Sequence, residues 1–390
     1  MPDHRIIDAD AHVLEPPGIW KNWLPSKYQD RAPQLVKDAH GGDAWHIPGS
    51  ATPDPIGLVA TPGMPWDAFR WTGVTYAEAR PGCYDGAQRL HDMDLDGVDT
   101  EIIFPPQRTI GHFLGSDDDD FVLAGVEAYN NFLFEEFCAP DPTRLIGCAQ
   151  IPSVGIDVAV DALRKASARG AKGIVISNWP SGNTRLGPDD DPFWAAAVDE
   201  NMPVAIHINV LSRKERAARL AAAHKTTTSS ASSSAAEVGA RTIGGISNVF
   251  GAVAGSLTQV ILNGVFDRFA SLHVTWIEAG VGWIPHFLEC LDDRYWRNRG
   301  WGQLAIKHPP SYYWQHNNSA TFITDRTGID LRHRIGVENM MWSTDYPHHG
   351  NDWPYSRKTI EDMMGALPEA EQAKLTGGNA ARIWHLGDRA

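Results

Sequence analysis

Cysteine is scarce in this chain, four in 390 residues, at positions 83, 138, 148 and 290. None forms a CxxC pair and the spacings are long, which excludes a thiolate zinc site and a disulfide framework and suits a reducing compartment. Basic residues are outnumbered, 34 Lys and Arg against 48 Asp and Glu, for a net charge of −14. No run of Lys or Arg interleaved with aromatics is present to neutralise phosphates, so nucleic acid is not an expected partner. Unbroken apolar runs are also missing. No window reads as the 18 or so apolar residues of a membrane span, and the charged start MPDHRIIDADAHV is not that of a signal peptide. A cytoplasmic protein without a membrane partner is the expectation. What remains, 43% apolar and 21% charged residues, is the composition of an ordinary globular protein with a large core.

Short Val- and Ile-rich runs recur, separated by stretches of helical length, as parallel strands buried on both faces do. They are RIIDADAHV (5–13), TEIIFPP (100–106), LIGCAQIP (145–152), AKGIVIS (171–177), MPVAIHI (202–208), HVTWIEA (273–279), SATFIT (319–324) and MMWSTDYP (340–347). The stretches 156–170 and 191–202 carry apolar residues at three- and four-residue spacing and read as crossover helices. Eight strands with helical crossovers predict an α/β fold, a (β/α)8 TIM barrel forming one domain over 1–390. Two segments break the repeat. Residues 14–90, rich in Pro, Gly and Trp, read as a long insertion after strand 1 that folds over the barrel mouth as a lid. Residues 211–245, centred on the Ser/Thr/Ala tract 224–239, read as a mobile loop after strand 5.

Asp10 and His12 lie one residue apart near the end of the first strand, where alternation puts both on one face. His207 ends the fifth strand, Glu278 the sixth and Asp345 the eighth. In such a barrel the C-terminal strand ends share one face and carry the active site, so these residues are expected to converge there. Singly, a His at a strand end is more often a hydrogen-bonded core residue, and an Asp after a strand is often a helix cap. Five together are harder to place structurally, because buried carboxylates cost several kcal/mol each unless paired or bound to metal. His348 and His349 follow Asp345 closely enough to orient it or to meet a substrate, and His348 is taken as a catalytic candidate beside Glu278 and Asp345. Glu15 is a candidate to hold a ligand, Arg70 and Arg108 to pair with a substrate carboxylate, and Trp66, Trp71, Trp179, Trp283 and Trp353 to wall a pocket.

The opening IIDADAHVLEP, the stretch RLHDMDLDGVDTEIIFP (89–105), the segment around 258–295 and the closing WSTDYPHHG (342–350) resemble the amidohydrolase-related family. That family includes aminocarboxymuconate semialdehyde decarboxylase and the hydroxybenzoate decarboxylases. The resemblance implies a divalent metal held by Asp10, His12, His207 and Asp345. Where the characterised decarboxylases place a His followed by Gly, this chain reads Glu278-Ala279-Gly280, and after the fourth strand it has Ser177-Asn178-Trp179 instead of a bridging Lys.

A carboxylate at 278 suits a general base towards water activated by the metal, or a ligand to a second ion. The first expectation is therefore a metal-dependent hydrolase acting on a carboxyl-derived bond of a small, cyclic or aromatic substrate. The alternative is a non-oxidative decarboxylase of an aromatic or unsaturated acid, and a third reading is a non-catalytic metal-binding or ligand-sensing barrel. One or two ions are expected, zinc first, with manganese and iron open because two His among carboxylates make a hard ligand set. The expected partners are a small-molecule substrate and further copies of the chain in a homo-oligomer.

Overall fold

The computed structural model describes residues 4–50, 52–218, 235–304 and 306–387, apart from the side chains at 107, 108, 235, 236, 238, 241 and 242. Eight parallel strands follow one another around a nearly closed barrel: β1 (Ile7–His12), β2 (Thr100–Phe104), β3 (Leu145–Gln150), β4 (Gly173–Ile176), β5 (Val204–His207), β6 (Val274–Ile277), β7 (Asn318–Phe322) and β8 (Met340–Trp342). All eight expected runs are strands. The eighth is shorter than expected because the chain leaves the β7 ladder after Trp342. No ladder joins β8 to β1; the segment after β8 meets β1 at an isolated bridge between Ala11 and Tyr346.

Every residue of every barrel strand is buried, as strands covered on both faces require. Inside the barrel Ile7, Ala9, Ile102, Phe104, Ile146, Cys148, Val175, Ala205, Ile277 and Met341 form one cluster, closed at the N-terminal end by Ala380, Ile383 and Trp384. Gly173, first residue of β4, makes room for that plug, since a Cβ there would lie 1.9 Å from the Trp384 ring. The outer faces pack on helices that include Ile156–Ala168, which buries Ala159, Leu163 and Ala166, and Asp191–Asp199, which buries Phe193, Trp194, Ala196 and Ala197.

Between β1 and β2 lies the expected insertion, and it has structure of its own. A three-stranded antiparallel sheet (Gln34–Lys37, Asp43–His46, Asp54–Pro55) is followed by helix Gly86–Asp96. That helix is capped by the Asp85 side chain, which accepts from the Gln88 amide, and ends at Gly97 with φ 75°. Of the loop expected after strand 5, residues 219–234 lie outside the described residues, so most of the 224–239 tract does too. Ala235–Ser247, placed in that loop, is a helix.

The expectation that no stretch is apolar enough to span a membrane also needs correction. The helical run Ile243–Arg268, 26 residues with a mean hydropathy of 1.6, is long and apolar enough by length and composition. Its Ala, Val and Ile residues are spread between glycines, so no unbroken apolar run marks it in the sequence. Within it, helix Val249–Leu262 buries Val253, Ser256, Leu257, Val260 and Ile261, the amphipathic packing of a barrel helix.

Candidate metal centre

The first two candidates owe their orientation to an irregularity in β1. Asp8 pairs with Glu101 but Ala11 with Ile103, three steps on β1 against two on β2. Ile7 and Ala9 point into the barrel, so strict alternation would send Asp10 outward. The extra residue of the bulge turns Asp10 and His12 inward together. His207 closes β5, and the chain then turns sharply at Ile208, φ 63°. Glu278 (φ 55°) and Asp345 (φ 62°) are themselves in the left-handed region. Such backbone costs of order 1–3 kcal/mol at a non-glycine residue and clusters at functional sites.

These turns bring donor atoms from four strand ends together. Nε2 of His12 and Nε2 of His207 are 3.0 Å apart. Asp10 Oδ1 stands 3.4 Å from the first and 3.5 Å from the second, and Asp345 Oδ1 is 3.4 Å from His12 Nε2. Glu278 Oε2 lies 3.8 Å from His207 Nε2, and Asp345 Oδ1 is 2.5 Å from His348 Nδ1. The side chains of Asp10, His12 and His207 are sealed, at 0, 2 and 1% exposure, whereas Asp345, His348 and Glu278 keep 11, 22 and 27%. The site thus has a closed floor and an open rim. The Glu278 turn is fixed by its own amide, which donates to Thr321 Oγ1, and by the Trp283 indole, which donates to Ala279 and Gly280 carbonyls.

The residues fit a divalent ion. Metal bonds of about 2.0–2.2 Å at tetrahedral to octahedral angles separate neighbouring ligand atoms by about 3.0–3.5 Å, the spacing found here. Two facing imidazole nitrogens share at most one proton, and the 3.4 and 3.5 Å contacts of Asp10 are long for hydrogen bonds. Both Asp10 oxygens, which face the two Nε2 atoms, are buried without a hydrogen-bond partner. A cation among the inward-facing atoms satisfies groups that native proteins rarely leave bare.

The electrostatics are those of opposed charges crowded out of water. Burial pushes the Asp10 carboxyl up, but the imidazoles of His12 and His207 outweigh it and hold the group well below the usual range. Burial lowers His207, and Asp10 with Glu278 and Asp345 reverses this, raising it to about 9. Glu278 is raised to about 7, first by burial and then by Asp345, with solvent at the rim screening part of that push. Asp345 is raised by burial and by Asp10.

A family model for amidohydrolases matches residues 7–386. The chain belongs to the amidohydrolase family. A gamma-resorcylate decarboxylase of Rhodococcus jostii (strain RHA1) is 25% identical over 283 residues, covering 66% of this amidohydrolase and 75% of the relative. An amidohydrolase of Mycobacterium avium subsp. paratuberculosis K-10 superimposes with a TM-score of 0.74 at 18% identity, over 100% of both chains. A dihydroxybenzoic acid decarboxylase of Polaromonas sp. JS666, solved with manganese and the inhibitor 2-nitroresorcinol, gives 0.63 at 18% identity, over 99% and 98% of the two chains. At these identities the structural likeness speaks for the barrel fold.

The remaining candidates of this amidohydrolase lie elsewhere or have other partners. Arg70 pairs with Glu78 at 2.9 Å on the insertion, and the side chain of Arg108 lies outside the described residues. Glu15 is buried and accepts from the Thr109 hydroxyl, while its carbonyl accepts from Tyr76. Trp179 and Trp353 are core residues and Trp66 is 73% exposed, so the five tryptophans do not form one wall. His349 stacks on Phe69 of the insertion, ring centres 4.3 Å apart, and its amide donates to the Leu58 carbonyl. All four cysteines are free. Sequence reasoning missed Arg89, fully buried beneath the site. Its guanidinium donates to Glu101 and to the His12 carbonyl, each at 2.6 Å, and lies 4.4 Å over the Tyr346 ring. An Arg three residues into a helix carries no mark of burial. The signal available was a Glu in an otherwise apolar strand, TEIIF, which needs a cation.

Proposed function

We propose that this amidohydrolase is a metal-dependent, non-oxidative decarboxylase of a hydroxylated aromatic acid. The observation that carries this reading is the match to a named decarboxylase over two thirds of the chain. It displaces hydrolysis, the first expectation from the sequence. Asp10, His12, His207 and Asp345 would hold the ion, which supplies a fixed positive charge for the substrate carboxylate and its neighbouring hydroxyl. Manganese is proposed over zinc, in keeping with a ligand set of two imidazoles and carboxylates and with the Polaromonas structure.

Glu278 stands at the open rim beside the floor and is the acid/base group. When the bond between ring and carboxyl carbon breaks, its electron pair stays on the ring carbon and CO2 departs. The proton of Glu278 moves onto that carbon, and solvent at the rim restores it. Asp345 holds the His348 ring through Nδ1 on the other side. The 14–90 insertion serves as a lid, an assignment supported by its Leu58 and Phe69 contacts to His349.

Hydrolysis remains the second reading because the group at 278 is a carboxylate, suited also to take a proton from water. The test is product analysis in D2O with manganese-loaded protein and 2,6-dihydroxybenzoate with related ortho-hydroxy acids, beside a panel of esters and lactones. Decarboxylation yields CO2 and an arene with one deuterium at the vacated carbon. Turnover of an ester or lactone without any CO2 from the acids would transfer the assignment to hydrolysis.

A further inference from the structure

Asp8 is fully buried, is not among the metal-ligand candidates, and sits where the barrel is least closed. Each of the other seven strand junctions has a backbone ladder, whereas β1 is joined to the segment after β8 by the isolated Ala11–Tyr346 bridge. The Asp8 carboxylate stands in for the missing ladder. Its Oδ1 accepts from the Thr344 amide at 2.9 Å and from the Asp10 amide at 3.0 Å, and its Oδ2 accepts from the Thr344 hydroxyl. The same hydroxyl oxygen accepts from the Tyr346 amide at 2.9 Å. Above this point the Asp345 amide donates to the Asp10 carbonyl at 2.8 Å and the His12 amide to the Tyr346 carbonyl at 2.6 Å. The carboxylate therefore touches the backbone on both sides of the seam. Asp10, whose own amide is one contact, and Asp345, next to Thr344 at the other, lie more than 300 residues apart in sequence.

The bulge makes this clamp necessary. It turns Asp10 inward by interrupting regular pairing between Asp8 and Ala11, the stretch where β1 also needs a partner across the seam. Without an acceptor there, three buried donors lose their partner, and an unsatisfied buried donor costs about 1–3 kcal/mol. The Asp10 and Asp345 backbones would then keep only the direct amide–carbonyl bond between them and the His12–Tyr346 bond beside it.

We propose that Asp8 is a positioning residue of the metal centre, a side-chain clamp that sets the spacing of Asp10 and Asp345 by holding β1 and the segment after β8 in one register. The inference rests on the proposed ligand set. It is tested on purified, metal-stripped full-length protein by titration with Mn2+ and by hydrogen exchange of the metal-free form. Asp8→Ala is expected to weaken Mn2+ binding about 10- to 100-fold, the usual loss when a group behind a ligand is removed. Asp8→Asn keeps an acceptor for the two amides and should stay within about threefold of wild type on the same scale. Ile7→Val, a core change in the same strand, controls for lost stability and should leave Mn2+ affinity unchanged. In the metal-free protein the Asp10 and Thr344 amides should exchange faster in Asp8→Ala, with β4 unchanged.

Wild-type Mn2+ affinity in folded Asp8→Ala overturns the clamp, and so does an Asp8→Asn variant as weak as Asp8→Ala. Should Asp8→Ala not fold, Thr344→Val removes one clamp donor at nearly constant volume, and unchanged affinity there also refutes the proposal. If wild type binds no Mn2+, the ligand assignment fails, and unaltered Asp10 and Thr344 exchange in the folded variant then refutes the clamp independently.

Discussion

Glu278→Gln separates the chemistry of the site from its architecture. The side chain keeps 27% exposure and its carboxylate makes one close charged contact, 3.8 Å to His207 Nε2. A full ion pair at that separation would attract by about 4 kcal/mol at an effective dielectric constant near 20, but an imidazole whose Nε2 holds a metal is neutral. Solvent at the rim and the opposing Asp345 charge reduce the net effect, so folding stability should change by no more than about 1 kcal/mol, the scale of a partly screened pair. Gln preserves volume and can still accept from neighbours, but it can neither deliver nor take a proton. Loss of a positioned acid or base lowers turnover on the order of 10²- to 10⁴-fold. The expected outcome is a folded protein with wild-type metal content by elemental analysis, a KM within a few-fold and a kcat down by at least that lower factor. Normal metal content with normal turnover would refute the role of Glu278. A fall in metal content matching the fall in turnover would make it a ligand instead.

His12→Ala and Asp345→Ala should each abolish bound metal and turnover while circular dichroism stays that of a folded barrel; full metal occupancy in either excludes that residue as a ligand. Arg89→Met leaves Glu101 buried without its cation and should destabilise the protein by about 3–5 kcal/mol in urea unfolding, whereas Arg89→Met with Glu101→Leu should recover most of the loss. Equal instability of the single and double variants would remove the ion pair from the account. His273 donates to or accepts from Ser319 at 2.9 Å and is lowered to about 3, first by burial, then by Arg382 and His385. Below pH 6.5 the unfolded chain takes up the proton first, so stability falls as pH drops from 6.5 towards about 3. His273→Asn should lessen that acid loss, by at most about 2 kcal/mol at pH 5 because the half-buried ring is partly screened by solvent; parallel pH–stability curves for variant and wild type would contradict the assignment.

The barrel was legible because its signal is local. Strands buried on both faces read as continuous apolar runs, and each of the eight runs holds one. The five residues that gather at the centre were legible for a related reason, since polar groups at the ends of such runs must be used or compensated. What the sequence did not show arises between elements. The bulge that turns Asp10 inward depends on pairing with β2, and Asp8 reads as one more polar residue in DADAH. Arg89 is buried by the closing of β1 against β2 and the Tyr346 segment. The eighth run reads as a longer strand than β8 because Thr344 to Tyr346 stay buried after the chain has left the β7 ladder. Ala235–Ser247 reads as loop in the sequence because Gly and Ser lower its helix propensity, which tertiary structure overrides.

In the proposed centre four residues from three strand ends hold one ion. Crystals grown with Mn2+ and measured at the manganese absorption edge test it directly. An anomalous peak is expected about 2.0–2.3 Å from Nε2 of His12 and of His207 and from carboxylate oxygens of Asp10 and Asp345. A peak bound by other residues, or none at saturating Mn2+, would contradict it.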